Sequence, residues 1–466
     1  MLEQAVEYYH ELLNDPELAE ASRKMLDDSL DHSKLVFGGR RLSPYLRPHF
    51  VTAYDWAMVR TTSETIWGAL QKVKDAVVVD DELLTELGVT AVERELVKID
   101  PGYSQVSPTA RLDSFLTEGA YSYVELNGES PAGIAYADSA SAIFESLPVM
   151  KKFAERYDMR RFHGRPKMLE VLLDCYREYL GREPDKKPLI AIVDLKDLPT
   201  QKEFELFRDY FEESGYDAII CSPDQLEFDG QKLYFGSVAI DIVYKRLLVN
   251  EYLPIMDRYP ALLDACRAGA ICMVNSFRGK LVHKKAIFAV LTNERYAHLF
   301  NEAELTAISK HVPWTRRFRS ERTLVKTGSD GILTEVDLVE YTRENSGRLV
   351  LKPNDDYGGH GIYIGWNASA EEWNAAVTTA LADGDYLVQE RVKTAKEIFP
   401  MLFDETVGRW SMVEQLVDLD PLLFNGVVGA AFTRLSSSEL ANVSSGGGMV
   451  PTFIISEKAV HGENQP

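Results

Sequence analysis

Cysteine is scarce in this chain: Cys175, Cys221, Cys266 and Cys272 are the only four in 466 residues, and no two stand in C-x-x-C spacing. That excludes a thiolate zinc motif and a disulfide framework, and points to reduced structural thiols. Positive charge is also short, with 51 Lys+Arg against 72 Asp+Glu and a formal charge of -21. A surface of that sign disfavours nucleic acid and acidic membranes as partners. No apolar run approaches the roughly 18 residues that span a bilayer. The opening MLEQAVEYYHELLNDPELAEASRK is an acidic amphipathic helix without the basic-then-apolar layout of a secretory signal. The expectation is a soluble, cytoplasmic protein. The histidines form no H-x-x-x-H pair, and a G-x-S-x-G elbow is missing, which argues against histidine–metal chemistry and a serine hydrolase. G-x-x-x-x-G-K-[ST] and a G-x-G-x-x-G turn are missing too, which disfavours those nucleotide folds.

What is present begins with Arg111-Leu-Asp113 and, after TEGA, Glu125-Leu-Asn127. Alternation in RLDSFL and YSYVELN predicts two strands joined by a turn, so Asp113, Glu125 and Asn127 converge on one point. Three oxygen ligands suit Mg²⁺, which keeps waters and takes nucleotide phosphates, and Arg111 stands ready for phosphoryl oxygens. A solvated acidic hairpin is the plain alternative. Near the other end, RLVLKPNDDYGGHGIYIG places Lys352 at the close of an apolar strand, followed by Gly358, Gly359 and Gly361. A lysine point charge and glycines that admit close backbone approach suit a polyanion; an ordinary glycine turn is the competing reading. The strand pattern DYLVQERV then carries Gln389 and Glu390, and NGVVGAAFTRLSSSELANVSSGGG carries Arg434, Asn442, Gly446 and Gly447.

Taken together, these segments resemble the ATP-grasp superfamily of carboxylate–amine ligases. The resemblance implies that Lys352 and the glycines 358, 359 and 361 close over ATP phosphates. It places Gln389 and Glu390 beside adenine and ribose, and presents Arg434 and Asn442 to the reacting phosphoryl group. Lys285 stands where relatives place a lysine entering the nucleotide cleft, with Lys280 and Lys284 as nearby alternatives. The R-x-D and E-x-N segments, which follow these motifs in glutathione synthetases and D-alanine:D-alanine ligases, lie here at the opposite end of the chain. That order is similar to the circularly permuted branch typified by glutathionylspermidine synthases. The phosphate loop departs from it by carrying Asp355 and Asp356, which would repel a triphosphate unless they face solvent or metal.

The fold class expected is α/β (α+β): an ATP-grasp fold in circularly permuted order, with a helical N-terminal region and a preceding β-α-β substrate-side domain. The length accommodates about three domain-sized units. Helical periodicity covers 1–100, and 101–187 holds the metal hairpin and further helices. The break at GREPDKKP opens a β-α-β unit over 188–270, nucleotide-binding subdomains run over 271–455, and 456–466 is a tail expected to fray. Lys245-Arg246 reads either as an anion contact or, more simply, as a solvated strand end. His360 reads as a loop histidine facing water.

The implied activity is ATP- and Mg²⁺-dependent joining of a small or peptide-like carboxylate to an amine through an acyl phosphate. Arg111, Arg434 and Asn442 act on the reacting groups, and Asp113, Glu125 and Asn127 hold metal. The alternatives are phosphoryl transfer on the same scaffold or a non-catalytic nucleotide-binding protein. A homo-oligomer is compatible with all three, and neither the acid, the amine nor the proton acceptor is legible.

Overall fold

The computed structural model describes residues 1–77, 80–327, 332–356, 358–404, 409–438 and 447–458. The predicted hairpin forms, with strands Thr109–Thr117 and Ala120–Asn127 turning at residues 118 and 119. It belongs to a larger antiparallel sheet with the strands Arg409–Phe424, Val427–Ser436 and Gly448–Val450, and Ala395–Asp404 pairs with the first of these three. Leu422 lies opposite Arg111, so the two ends of the chain share one sheet. Alternation in this sheet is strict enough to separate two chemistries. Leu112, Leu126 and Leu419 turn to the back, into one apolar cluster with Val59, Ile66, Trp67 and Leu70 of the helix Ala53–Val77. Arg111, Asp113, Asp418, Asp420 and Arg434 turn to the front.

The β-α-β unit also forms as predicted. Ile190–Val193, the helix Gln201–Glu213 and Ala218–Cys221 lead into a parallel four-stranded sheet completed by Ile242–Lys245 and Cys272–Val274. Buried apolar runs such as Ile190-Ala-Ile-Val193 suit a parallel strand covered on both faces. The second antiparallel sheet runs Thr315–Arg317, Tyr386–Glu390, Leu349–Pro353, Tyr363–Ile364, with the helix Ala370–Asp383 packed on it through Trp373.

Three local expectations change. The N-terminal helical region contains short strands, and one of them, His49–Thr52, pairs in parallel with Thr452–Glu457. The tail is not frayed at its start: Ser456 and Glu457 pair with Asp158 and Tyr157, while 459–466 lie outside the described residues. The strand end Lys245-Arg246 is not solvated, since the two residues are 1% and 5% exposed. No helix among the described residues is long and apolar enough to cross a membrane.

Candidate active site

The hairpin register sets Asp113 opposite Glu125 and Arg111 opposite Asn127, which places all four on the front of the sheet. Asn127 Nδ2 donates to Asp113 Oδ1 at 2.9 Å. Arg111 forks onto the same carboxylate, Nε to Oδ1 at 2.8 Å and Nη2 to Oδ2 at 3.1 Å, and Arg434 Nη2 donates to Oδ2 at 2.5 Å. The register shifts after Asp113, leaving Val124 without a cross-strand partner. Such a bulge re-aims a strand, and here the carbonyl of Val124 accepts from Lys352 Nζ at 2.9 Å. Lys352 of one sheet thereby docks on the hairpin of the other.

Two carboxylates enter that sequence reasoning missed. Asp418 and Asp420 lie on the strand between Arg434 and the hairpin, and oxygens of Asp113, Asp418 and Asp420 sit within 4.8 Å of one another. Arg434 pairs with Asp418, and its Nε stands 3.2 Å from Asp420 Oδ2. The latter contact is not aligned as a hydrogen bond, so Oδ2 of Asp420 is buried without a hydrogen-bond partner among the described residues. Their only signal in the sequence is the alternation V-D-L-D.

Burial opposes charge on all three carboxyls but does not win equally. At Asp113 the guanidiniums of Arg111 and Arg434 outweigh it and hold the carboxyl well below its usual range. At Asp418 and Asp420 burial prevails and pushes both up. Three carboxylates, with Asp420 Oδ2 ion-paired to Arg111 and Arg434 but not hydrogen-bonded, stand beside the amide of Asn127 and form a donor set of the hard-oxygen kind that Mg²⁺ takes. Glu125 stands slightly apart, 3.3 Å from Lys285 Nζ.

At the strand end, burial lowers the ammonium of Lys352 to about 8, moderated by Glu125. Lys285 Nζ donates to the carbonyl of Asp356 at 2.5 Å, which ties it to the phosphate loop. Asp355 does not confront a phosphate site. It is clamped by Lys280 at 2.6 Å and Lys284 at 2.8 Å, and these also reach Glu93 and Glu129. All three lysines of the K-x-x-x-K-K run thus contact the Asp355-Asp356 segment. Gly361 has φ +67°, and a Cβ there would come within 2.8 Å of the Tyr386 hydroxyl and 2.9 Å of Pro353, so the turn requires glycine. Gln389 is buried with Nε2 donating to Thr315, and Glu390 pairs with Arg348. His360 is exposed, as expected. Asn442 and Gly446 lie outside the described residues; Gly447 lies within them.

A cavity of about 530 Å³ joins these parts, a size that suits a small-molecule site. Lys352, Gly358, Gly359, Gln389, Glu390 and Trp366 line one end; Arg111, Asp113, Glu125, Asn127, Asp418 and Arg434 line the middle. The far end is walled by the parallel-sheet domain through Asp194, Thr200, Arg246 and Glu251, with Tyr136 beside them. Lys285 and Gly361 are not lining residues and act from behind the loop.

No family model matches the chain. It is 24% identical over 439 residues, 87% of its own length, to a protein of Frankia alni whose name proposes a glutamate–cysteine ligase. It is 22% identical over 234 residues to an uncharacterized protein of Synechocystis sp., covering 47% of this chain. The chain spans less than half the length of these curated relatives, 46% and 43%. Among solved structures it superposes on a glutathione synthetase-like effector from Globodera pallida with a TM-score of 0.59 and 14% identity, covering 94% of this chain and 98% of that one. That likeness is one of fold.

Proposed function

We propose that the protein is an ATP- and Mg²⁺-dependent carboxylate–amine ligase of ATP-grasp type, built in circularly permuted order and working through an acyl phosphate. One observation carries the reading: a single sheet face gathers Arg111, Asp113 and Asn127 with Asp418, Asp420 and Arg434, from segments about three hundred residues apart, around a cavity that also meets Lys352. The pairing of the hairpin with the C-terminal strands supports the permuted order, and the ligase name of the Frankia alni relative supports C–N bond formation. A cytoplasmic setting with small acids and amines as substrates goes with it.

In this reading Lys352 and the backbone of Gly358 and Gly359 hold the nucleotide phosphates, while Gln389 and Glu390 border the base and ribose. Asp113, Glu125, Asn127, Asp418 and Asp420 are the residues that would hold Mg²⁺, which supplies charge neutralisation at the phosphates when bound. The acid's carboxylate oxygen attacks the γ-phosphorus as its bond to the bridging oxygen breaks and ADP leaves, and the charge of the acid and of the transferred group is met by Arg111 and Arg434. The guanidiniums already lie at the cavity, fixed by buried carboxylates, so little reorganisation is needed at the moment of transfer. An amine then displaces phosphate to leave an amide.

Calorimetric titration with a non-hydrolysable ATP analogue and Mg²⁺, followed by ADP and phosphate assays over pools of acids and amines, tests it. Binding together with turnover that needs both acid and amine is the expected result. No nucleotide binding would remove the assignment, and a stable phosphorylated acid formed without amine would replace ligation by phosphoryl transfer.

A further inference from the structure

The far end of the cavity is built at the C-terminal edge of the parallel sheet, where open α/β sheets present ligand-binding side chains. Val193 and Lys245 pair in register, so the residues that follow them, Asp194 and Arg246, leave neighbouring strands side by side. Neighbouring strands stand about 5 Å apart, so both residues flank the same end of the cavity. Asp194 is 6% exposed. Among the described residues its carboxylate accepts one hydrogen bond, from the adjacent Leu195 N–H at 2.7 Å, and no cation lies within 4.0 Å of it. A buried carboxylate on a cavity wall without a cationic partner is costly unless a ligand supplies the charge.

Arg246 offers the opposite pole. Its Nη1 donates to the Pro131 carbonyl at 2.7 Å and to the Tyr244 hydroxyl at 3.1 Å, and its charge is answered by fully buried Glu203 at 3.5 Å. Its Nε is buried and has no hydrogen-bond partner among the described residues.

Building on the ligase reading above, we propose that this end of the cavity binds the amine substrate as a zwitterionic amino acid, with its ammonium on Asp194 and its carboxylate facing the Arg246 guanidinium. In the same step Asp194 takes the proton that the ammonium must lose. The neutral amine's lone pair then forms the C–N bond at the acyl carbon. The C–O bond to phosphate breaks with its electron pair, and the second nitrogen proton leaves on the phosphate. Asp194 returns its proton to solvent as the amide departs. Burial pushes the Asp194 carboxyl up to about 7; Arg246, the Leu195 amide and Lys245 pull it down, and Glu251 raises it. Proton exchange near neutral pH is what a general base requires.

The test uses the full chain with ATP and Mg²⁺. The protein amino acids are offered pairwise as acid and amine, their methyl esters are offered as amines, and hydroxylamine serves as a nucleophile largely uncharged at neutral pH. A free amino acid should support ligation at least about tenfold better than its methyl ester, which lacks the charge Arg246 would meet. Asp194→Asn should lower kcat/KM for the amine by about a hundredfold or more. It should also flatten the rise of kcat through neutral pH, and reduce ATP-dependent hydroxamate formation by no more than roughly threefold, because hydroxylamine needs no base. Equal loss of hydroxamate and amide, an unchanged amine kcat/KM in Asp194→Asn, or methyl esters as good as free amino acids would overturn this proposal and leave the ligase reading intact. Failure of the wild type to form either hydroxamate or amide from any pair would overturn the ligase reading and this proposal with it.

Discussion

Two buried charge clusters flank the glycine loop that follows Lys352. In one, Asp113, Asp418 and Asp420 face Arg111 and Arg434 at the cavity wall. In the other, Glu93, Glu129 and Asp355 face Lys245, Lys280 and Lys284 behind the loop. The second is balanced charge for charge. Burial opposes ionisation of Glu129 there, but Lys280 and Lys245 bring its carboxyl down to about 2. The first has more carboxylates than guanidiniums, and burial pushes Asp418 and Asp420 upward. A cluster short of positive charge and open to a cavity is suited to take up a cation; one already neutral and closed is suited to hold a loop. In the proposed function, similar residue types thus serve ligand binding in one place and positioning in the other.

The sharpest way to break this contrast is at Asp113. Asp113→Asn should lower ATP-dependent turnover by about a thousandfold, the upper range for losing one preorganised electrostatic group. Circular dichroism should show the fold retained, since the side chain keeps its shape. Turnover equal to the wild type would remove the cavity cluster from the chemistry.

In the second cluster the loss should appear first as stability. Lys280 is fully buried, and Lys280→Met leaves Glu129 and Asp355 under-compensated, a change that costs about 3–5 kcal/mol for a buried pair broken on one side. Thermal unfolding should show a lowered midpoint together with weaker nucleotide binding; an unchanged midpoint would mean that the network does not hold the loop.

A smaller effect separates the clusters by pH. Lys352 loses its proton as pH rises through about 8, because burial disfavours its charge. Affinity for an ATP analogue should therefore fall by about tenfold, one charge-assisted contact, between neutral and strongly alkaline pH. Lys352→Arg should bind with little pH dependence, since arginine stays charged. Titration calorimetry at several pH values checks both. The smallest expected effect is Gly361→Ala. Positive φ costs an alanine about 1–2 kcal/mol and its Cβ would press on Pro353 and the Tyr386 hydroxyl, so nucleotide affinity should fall several-fold and the thermal midpoint should drop slightly.

Much of the site was legible because chemistry and periodicity coincide within short segments. R-L-D and E-L-N alternate charged and apolar residues, so a hairpin must bring both charged sets to one face, and the structure does so. Lys352 at a strand end and the glycines after it were readable for the same reason. Asp418 and Asp420 were not, although V-D-L-D alternates too. Nothing local distinguishes a strand whose acids face a cavity from one whose acids face water. Their role depends on Leu422 pairing with Arg111. Lys245-Arg246 shows the same limit in reverse: a charge pair that reads as solvent-facing is sealed under Glu129 and Glu203. The parallel pairing of Thr452–Glu457 with His49–Thr52 was not legible, because no local signal names a partner about four hundred residues away.

By itself the sequence determined the strand and helix periods, the two-faced hairpin, the β-α-β unit and the residue types able to meet phosphate and metal. Those follow from spacing along a few turns or rungs, where the backbone geometry dictates which side chains share a face. The tertiary structure alone decided which carboxylates crowd Asp113, that Asp355 turns to lysines instead of phosphates, and that Asp194 is buried beside Arg246. Those outcomes depend on desolvation and on charges brought together by long-range strand pairing, and neither quantity exists until the sheets have closed around the cavity.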